Sequence, residues 1–227
     1  MLLFIVPSAV AAEAVVPVDI GSGWDAAACV PSALNLCAKI NVHAGPTGLY
    51  EFEGIEGVSP DLDVKIGETL FFDQRHPSNW FHPLGFAYEP DGAHGSTWGG
   101  DELPEVEGAG ELQYFINGAK PTCDDAGDTG LDCYEPEFFY PRAVWRESTY
   151  GVSLKVTEAV AEASNGGVLY YFCHIHSKMS GKVCHCHCHI AHAGRMAGAP
   201  RAELQTREAS CGVWLMCSVT VTDRSPA

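Results

Sequence analysis

Basic side chains are scarce in this chain of 227 residues. Lysine and arginine together number 13 against 29 aspartates and glutamates, which gives a formal net charge of −16. A protein that binds nucleic acid needs a basic face to neutralise phosphates, so this balance argues against a nucleic-acid partner. The acidity is concentrated in residues 101–150, which carry 12 acidic and 3 basic side chains. That segment is either a solvated acidic loop or a docking face for a basic partner protein.

Long apolar runs are also absent. No stretch reaches the roughly 20 apolar residues that a membrane-spanning helix requires. Residues 2–11 are apolar and contain no lysine or arginine. Together with the next three residues they resemble the apolar and cleavage portions of a secretory signal, so we interpret residues 1–14 as a signal-like leader. We expect a secreted protein, or one in another oxidising compartment such as the thylakoid lumen, with no membrane span.

Several catalytic motifs are missing. The chain has no Gly-x-Ser-x-Gly elbow, no phosphate-binding glycine loop and no His-Glu-x-x-His, so hydrolase and nucleotide-binding functions have no residues to support them. The carboxylates in residues 124–132 could offer oxygen ligands to calcium, but their spacing does not match an EF-hand loop. A solvated loop is the simpler interpretation of that segment.

Cysteine, in contrast, is abundant, with ten residues in the chain. Cys29 and Cys37 lie close together in polar sequence, and so do Cys123 and Cys133. Pairs at this spacing predict short disulfide-closed loops in an oxidising compartment.

The hydrophobic pattern is that of strands, with no helical repeat or heptad. Apolar and polar residues alternate in residues 64–72 and 150–157, while residues 80–88 are almost continuously apolar. Alternation is typical of a half-buried strand and a continuous run of a fully buried one. A Gly-Gly turn then leads into a further apolar run at residues 168–173. The sequence therefore predicts an all-β protein.

Metal-binding residue types converge just after that last run. Cys173 is followed by His176 and then by Met179, each three residues after the one before. One short loop after a buried strand can direct all three side chains at a single point. A thiolate, an imidazole and a thioether suit copper far better than magnesium or calcium, and two His, one Cys and a distant Met describe a blue-copper centre.

The Cys-x-x-His-x-x-Met spacing, continued as Met-Ser-Gly-Lys-Val in residues 179–183, resembles the ligand loop of the cupredoxins, the blue copper proteins of the plastocyanin and amicyanin type. In that family the fourth ligand is an upstream His carried into an apolar strand, and His82 in Asn-Trp-Phe-His-Pro-Leu fits. The resemblance implies a type 1 copper site made by His82, Cys173, His176 and axial Met179.

The same resemblance implies a cupredoxin-like Greek-key β-sandwich that acts in one-electron transfer with a redox partner protein, as a carrier more than as an enzyme. The domain would span residues 15–190, with a long loop insertion at about residues 89–140. His176 would lie near an apolar surface and serve as the exit for the electron. One departure is Pro83, which stands where plastocyanin has an Asn that braces the ligand loop.

Three other histidines need an interpretation. His76 and His94 are the alternatives to His82 as upstream ligand, and both lie in polar turn-like sequence that favours an ordinary loop position. His174 follows the ligand Cys173 directly, so the alternation of a strand should point it away from the metal, towards a role beside the site or at the surface.

Residues 184–196 form an unusual run of Cys and His that partly repeats the ligand loop. With His187, Cys188 and His192 in corresponding places, it resembles a multicopper oxidase motif. If residues 182–190 continue the closing strand, the Cys side chains face the core, and His185, His187 and His189 face solvent. Otherwise the run holds a second copper through Cys188, His192 and Met196. Residues 191–227 form a tail that could add one strand at residues 212–222. The alternative functions are accordingly a copper-binding or copper-delivery protein, or a multicopper-oxidase-like oxidoreductase.

Overall fold

The structure, a computed structural model, describes residues 29–94, 111–124, 127, 129–164 and 166–186. The expected leader at residues 1–14 and tail at residues 191–227, with the alternative second copper site in that tail region, lie outside these ranges. The described residues are mostly strand with few helices, so the all-β prediction is confirmed at this level.

Nine strands lie in the described part of the chain. In chain order they are β1 (Asn35–Asn41), β2 (Leu49–Phe52), β3 (Leu62–Lys65), β4 (Thr69–Asp73), β5 (Leu84–Ala87), β6 (Leu112–Ile116), β7 (Tyr150–Lys155), β8 (Val168–Cys173) and β9 (Gly181–Cys186). The helices are short: α1 (Leu131–Tyr134), α2 (Arg142–Trp145) and α3 (Glu158–Ala163), with 3-10 helices at Pro77–Asn79, Gly92–His94 and Glu135–Phe139.

The strands form two mixed sheets. One has five strands in the order β2-β1-β4-β7-β6, and the other has four in the order β3-β9-β8-β5. β1 pairs parallel with β4, and β3 pairs parallel with β9. The remaining pairs are antiparallel. Both parallel pairs join strands that are distant in sequence. The alternation of apolar and polar residues within one strand cannot reveal such a pairing.

The two sheets share one core, in which aromatic rings from opposite sheets meet. Phe52 of the first sheet and Tyr171 of the second pack edge to face with centroids 5.3 Å apart, and Phe72 lies 5.0 Å from Phe86. All four side chains are buried. Burying an aromatic or large aliphatic side chain contributes about 1.5–3 kcal/mol, so this core carries much of the stability of the fold.

The strand at residues 80–88 is shorter than the sequence predicts. It begins only at Leu84, because Trp80 and Phe81 form a turn in which Phe81 has a positive φ of 70°. From Leu84 to Ala87 every residue is buried, as the continuous apolar run predicts. The turn matters for the site because it directs the next residue, His82, away from the strand.

Part of the expected loop insertion at residues 89–140 has regular structure. β6 pairs with β7 at the edge of the five-stranded sheet, and its residues Leu112 and Tyr114 are buried. Phe138 is buried too, in contact with Tyr134 and Trp145. These packed aromatic residues were not anticipated, because the glycine- and aspartate-rich sequence around them is typical of a loop.

Both predicted disulfides are present. Cys29 bonds to Cys37, and Cys123 bonds to Cys133 at the start of the helical part of the insertion. They are compatible with an oxidising compartment. Within the described ranges, no helix has the length and apolar character needed to cross a bilayer.

The orientation of β9 corrects one expectation. His185 was expected to face solvent, but it is only 5 % exposed, and its Nε2 forms a hydrogen bond with Ser164 Oγ over 2.6 Å. His185 faces inward because Gly181 and Val183, on the same face of β9, pack against the interior. Val183 belongs to the core, and Gly181 lies where a Cβ would overlap the Tyr171 hydroxyl. Strand alternation then places His185 on this inward face. His187 and His189 lie outside the described residues.

Candidate metal centre

Three of the residues predicted as ligands converge at one end of the four-stranded sheet. Cys173 is the last residue of β8, His176 lies in the loop that follows, and His82 lies in the turn before β5. The Cys173 sulfur is 3.8 Å from Nδ1 of His82 and 3.6 Å from Nδ1 of His176. The two imidazole centroids are 4.6 Å apart. The group could hold a metal ion, since the donor atoms all lie within 4.8 Å of one another.

The sulfur-to-nitrogen distances fit one shared ion. Ligand bonds of about 2.3 Å to sulfur and about 2.0 Å to nitrogen, at about 110–120° to each other, separate the two donor atoms by about 3.5–3.7 Å. The separations of 3.6 and 3.8 Å are close to this range. A thiolate with two imidazoles is a donor set for a soft or borderline transition metal.

Burial sets the protonation of the three donors. Burial raises the pKa of the Cys173 thiol to about 11, against opposing hydrogen bonds from the backbone N–H groups of His176 and Ile175. It lowers the pKa of His82 to about 4, with the neighbouring His176 adding to the shift, and it also lowers the pKa of His176. At neutral pH both rings are therefore neutral and able to accept a metal. A metal that takes the thiolate must displace the thiol proton.

Met179 follows in the same loop and is fully buried in the core cluster that contains Cys173. The loop between Cys173 and Met179 is held by a hydrogen-bonded contact with Asp91. Both carboxylate oxygens of Asp91 accept from the backbone N–H of Lys178, at 2.8 and 2.7 Å, where Lys178 has a φ of 65°. This clamp fixes the chain just before Met179. An axial role for Met179 stays a prediction.

The two alternative histidines lie outside the group. His76 is the N-cap of the 3-10 helix at Pro77–Asn79, with Nδ1 2.8 Å from Ser78 Oγ. His94 donates from Nε2 to the backbone carbonyls of Cys173 and His174, at 3.1 and 3.0 Å. His94 thus supports the ligand strand without belonging to the metal group, a role that its polar loop sequence did not reveal.

The side chain of His174 lies outside the group as well, but it is not at the surface. Only 6 % of it is exposed, its ring packs 4.8 Å from the ring of Phe172, and its Nδ1 lies 4.0 Å from a carboxylate oxygen of Glu135. Burial lowers its pKa to about 4. His174 points away from the metal-binding group, as expected. It lies in the packed interior, close to Glu135 of the insertion.

Gly85 leaves the space that this imidazole occupies. A Cβ on Gly85 would overlap Nε2 of His174 and lie 2.9 Å from Cζ of Phe172. We expect Gly85→Ala to lower the free energy of unfolding by about 1–3 kcal/mol, because the buried ring cannot move aside freely. Urea unfolding of the metal-free protein measures this loss.

The matched comparison is the double variant Gly85→Ala/His174→Ala. Removing the ring opens the space that the new methyl needs, so the double variant should lose less stability than the sum of the single variants. Strictly additive losses would contradict the overlap as the cause.

The backbone on either side of His82 is held by residues that the sequence reasoning did not single out. The His82 carbonyl accepts from Gln74 Nε2 at 2.9 Å and from the Tyr50 hydroxyl at 3.0 Å. The His82 N–H donates to the Asn79 carbonyl over 2.8 Å. No local sequence signal marks Gln74 or Tyr50, because Tyr50 reaches the site from β2 and Gln74 from the position directly after β4.

Comparison with known proteins identifies no relative. No protein-family model matches this chain, and neither the curated proteins nor the solved structures contain a significant match.

Proposed function

We propose that this protein is a cupredoxin-like type 1 copper protein that acts in one-electron transfer. The observation that carries the proposal is the convergence of the Cys173 thiol with the imidazoles of His82 and His176, at sulfur-to-nitrogen distances of 3.8 and 3.6 Å. Copper bound there would supply a one-electron couple, tuned by the axial ligand and the apolar surroundings.

The donor set favours copper over a structural zinc ion. Structural zinc sites take four strong ligands, whereas among the described residues the group of His, Cys and carboxylate donors has three members. The next sulfur along the chain is the thioether of Met179, which is buried in the same core cluster as Cys173. A thioether is a soft, weak ligand that suits the axial position of a blue-copper centre.

The protein's own part in such a function is to hold the donors still. A site that keeps one geometry in both oxidation states needs little rearrangement when an electron moves. Several hydrogen bonds oppose rearrangement here, from Gln74 and Tyr50 to the His82 carbonyl and from Lys178 to Asp91. Burial of Cys173 keeps water from the sulfur.

We propose that the electron leaves through His176, which is partly exposed. Its ring lies 5.7 Å from that of Phe81, which in turn packs edge to face with Phe139 at 5.2 Å. Phe139 is 53 % exposed, and the adjacent Tyr140 is exposed as well. This apolar surface would let a partner approach the His176 edge closely.

The partner is proposed to be a basic redox protein. The net charge of −16 would steer a cationic protein to the surface and speed encounter more than it would tighten binding. The site of action is proposed to be a secreted or other oxidising compartment, including the thylakoid lumen. The disulfides Cys29–Cys37 and Cys123–Cys133 support this proposal.

The reduction potential of the copper-loaded protein tests the copper site and the role of Met179 in it. We expect Met179→Gln to retain copper and to lower the reduction potential, because a harder oxygen ligand favours Cu(II) over Cu(I). Protein-film voltammetry or a redox titration of the visible band measures the change. An unchanged potential would mean that Met179 is not the axial ligand.

A matched control is Ser177→Ala, in the same loop at an exposed position. It should leave both copper binding and the potential as they are in the unmodified protein. A protein that takes up no copper, or that stays colourless when loaded with Cu(II), would contradict the proposed function as a whole.

A further inference from the structure

We propose that Gln74 is the positioning residue of the metal centre. Gln74 directly follows β4 of the five-stranded sheet and is fully buried. Its side chain extends to the turn that carries His82, just before β5 of the four-stranded sheet. The inference rests on the proposed function, because it concerns what keeps the upstream ligand of that same site in place.

The geometry of the Gln74 amide leaves one orientation. Its Nε2 donates to the His82 carbonyl at 2.9 Å, and its Oε1 accepts from the backbone N–H of Leu84 at 3.0 Å. A carbonyl can only accept and an N–H can only donate, so the oxygen and nitrogen of the amide cannot be exchanged. The side chain therefore spans Pro83 and bonds the backbone on both sides of it, as a neighbouring strand would.

Among the residues that the structure describes, no strand pairs with the chain on the side where this bridge lies. β5 is an edge strand of its sheet, with β8 on one side. On that side the Pro83 carbonyl accepts from the backbone N–H of His174 at 3.0 Å. On the other side Gln74 supplies the missing donor and acceptor, so the turn that carries His82 is bonded from both edges.

A third bond links the bridge to the insertion. The Tyr134 hydroxyl donates to the same Gln74 Oε1 at 2.8 Å. Tyr134 is fully buried at the end of α1, next to Cys133, whose disulfide to Cys123 closes that loop. The insertion thus connects to the metal group through two successive hydrogen bonds, from Tyr134 to Gln74 and from Gln74 to His82.

The test uses Gln74→Met, which keeps the length of the side chain and removes all three bonds. We expect Cu(II) affinity to fall by about 10-fold, the low end of the range for partners of metal ligands, because Gln74 bonds the backbone of His82 and not its ring. The copper hyperfine pattern in the EPR spectrum should broaden into more than one form. A purely structural role would lower stability and leave affinity and spectrum unchanged, which would overturn the proposal.

A second measurement needs no metal. In the metal-free protein, hydrogen exchange of the Leu84 amide should be faster in Gln74→Met than in the unmodified protein, beyond the change that global unfolding explains. Failure of the unmodified protein to bind copper would contradict the proposed function, whereas unchanged Leu84 exchange would contradict the bridge. The two failures are therefore distinguishable.

Tyr134→Phe keeps the proposal testable if Gln74→Met does not fold. It removes a single hydroxyl from the bridge, and we expect a smaller change of the same sign in Cu(II) affinity. The matched control is Tyr150→Phe, since the hydroxyl of Tyr150 donates to Glu137 at 3.3 Å and not to Gln74. Equal effects of the two substitutions on affinity would overturn the coupling through Tyr134.

Discussion

Replacing Cys173 with serine should abolish the intense absorption at the red end of the visible spectrum that we expect from the copper-loaded protein. The band would come from charge transfer between the Cys173 thiolate and Cu(II), and a serine oxygen offers no comparable transition. Among the cysteines that the structure describes, Cys173 is the free one, and it is fully buried. Visible absorption of the two proteins, loaded with equal Cu(II), measures the change.

Two further variants complete this experiment. Cys173→Ala should also lose the band, which separates loss of the sulfur from any effect of a buried serine hydroxyl. Ser177→Ala, at the exposed position in the ligand loop, should keep the band. If the serine variant retains the colour, Cys173 is not the copper thiolate and the blue-copper proposal fails.

The largest expected loss of stability comes from Phe138, in the inserted segment. Its ring is fully buried and packs against Tyr134, Trp145 and Tyr150 with centroids 5.0, 5.6 and 4.9 Å away. Phe138→Ala should lower the free energy of unfolding by about 3–5 kcal/mol, because the removed ring leaves a cavity among rigid aromatic neighbours. Urea unfolding of the metal-free protein measures it.

The neighbouring residue supplies the control. Phe139 has the same side chain but is 53 % exposed, so Phe139→Ala should cost about 1 kcal/mol or less. The pair separates the packed face of the segment from its exposed face. Equal small losses for both variants would mean that the inserted helices are not part of the core.

Local sequence was sufficient for the features that depend on near neighbours. The loop with Cys173, His176 and Met179 is short, so its spacing limits where those side chains can go. The two disulfides close loops between cysteines 8 and 10 residues apart. The alternation in residues 150–157 predicted β7.

Sequence was less informative where structure depends on which strands become neighbours. The alternating run at residues 64–72 predicted strands correctly, yet β3 and β4 enter different sheets. In β9, Cys184 is buried as expected, but the inward orientation of His185 was missed. This orientation depends on Gly181 fitting against Tyr171 and on Val183 entering the core.

The sequence by itself determined the chemistry of this protein: which donors exist, which of them share a loop, and that one upstream histidine in an apolar context could join them. Only the tertiary structure decided the supports. Gln74, Tyr50 and His94 reach the ligand segments from 8 to 80 residues away along the chain. Hydrogen bonds over such separations depend on strand order and side-chain direction in the folded chain, and residue spacing carries no record of either.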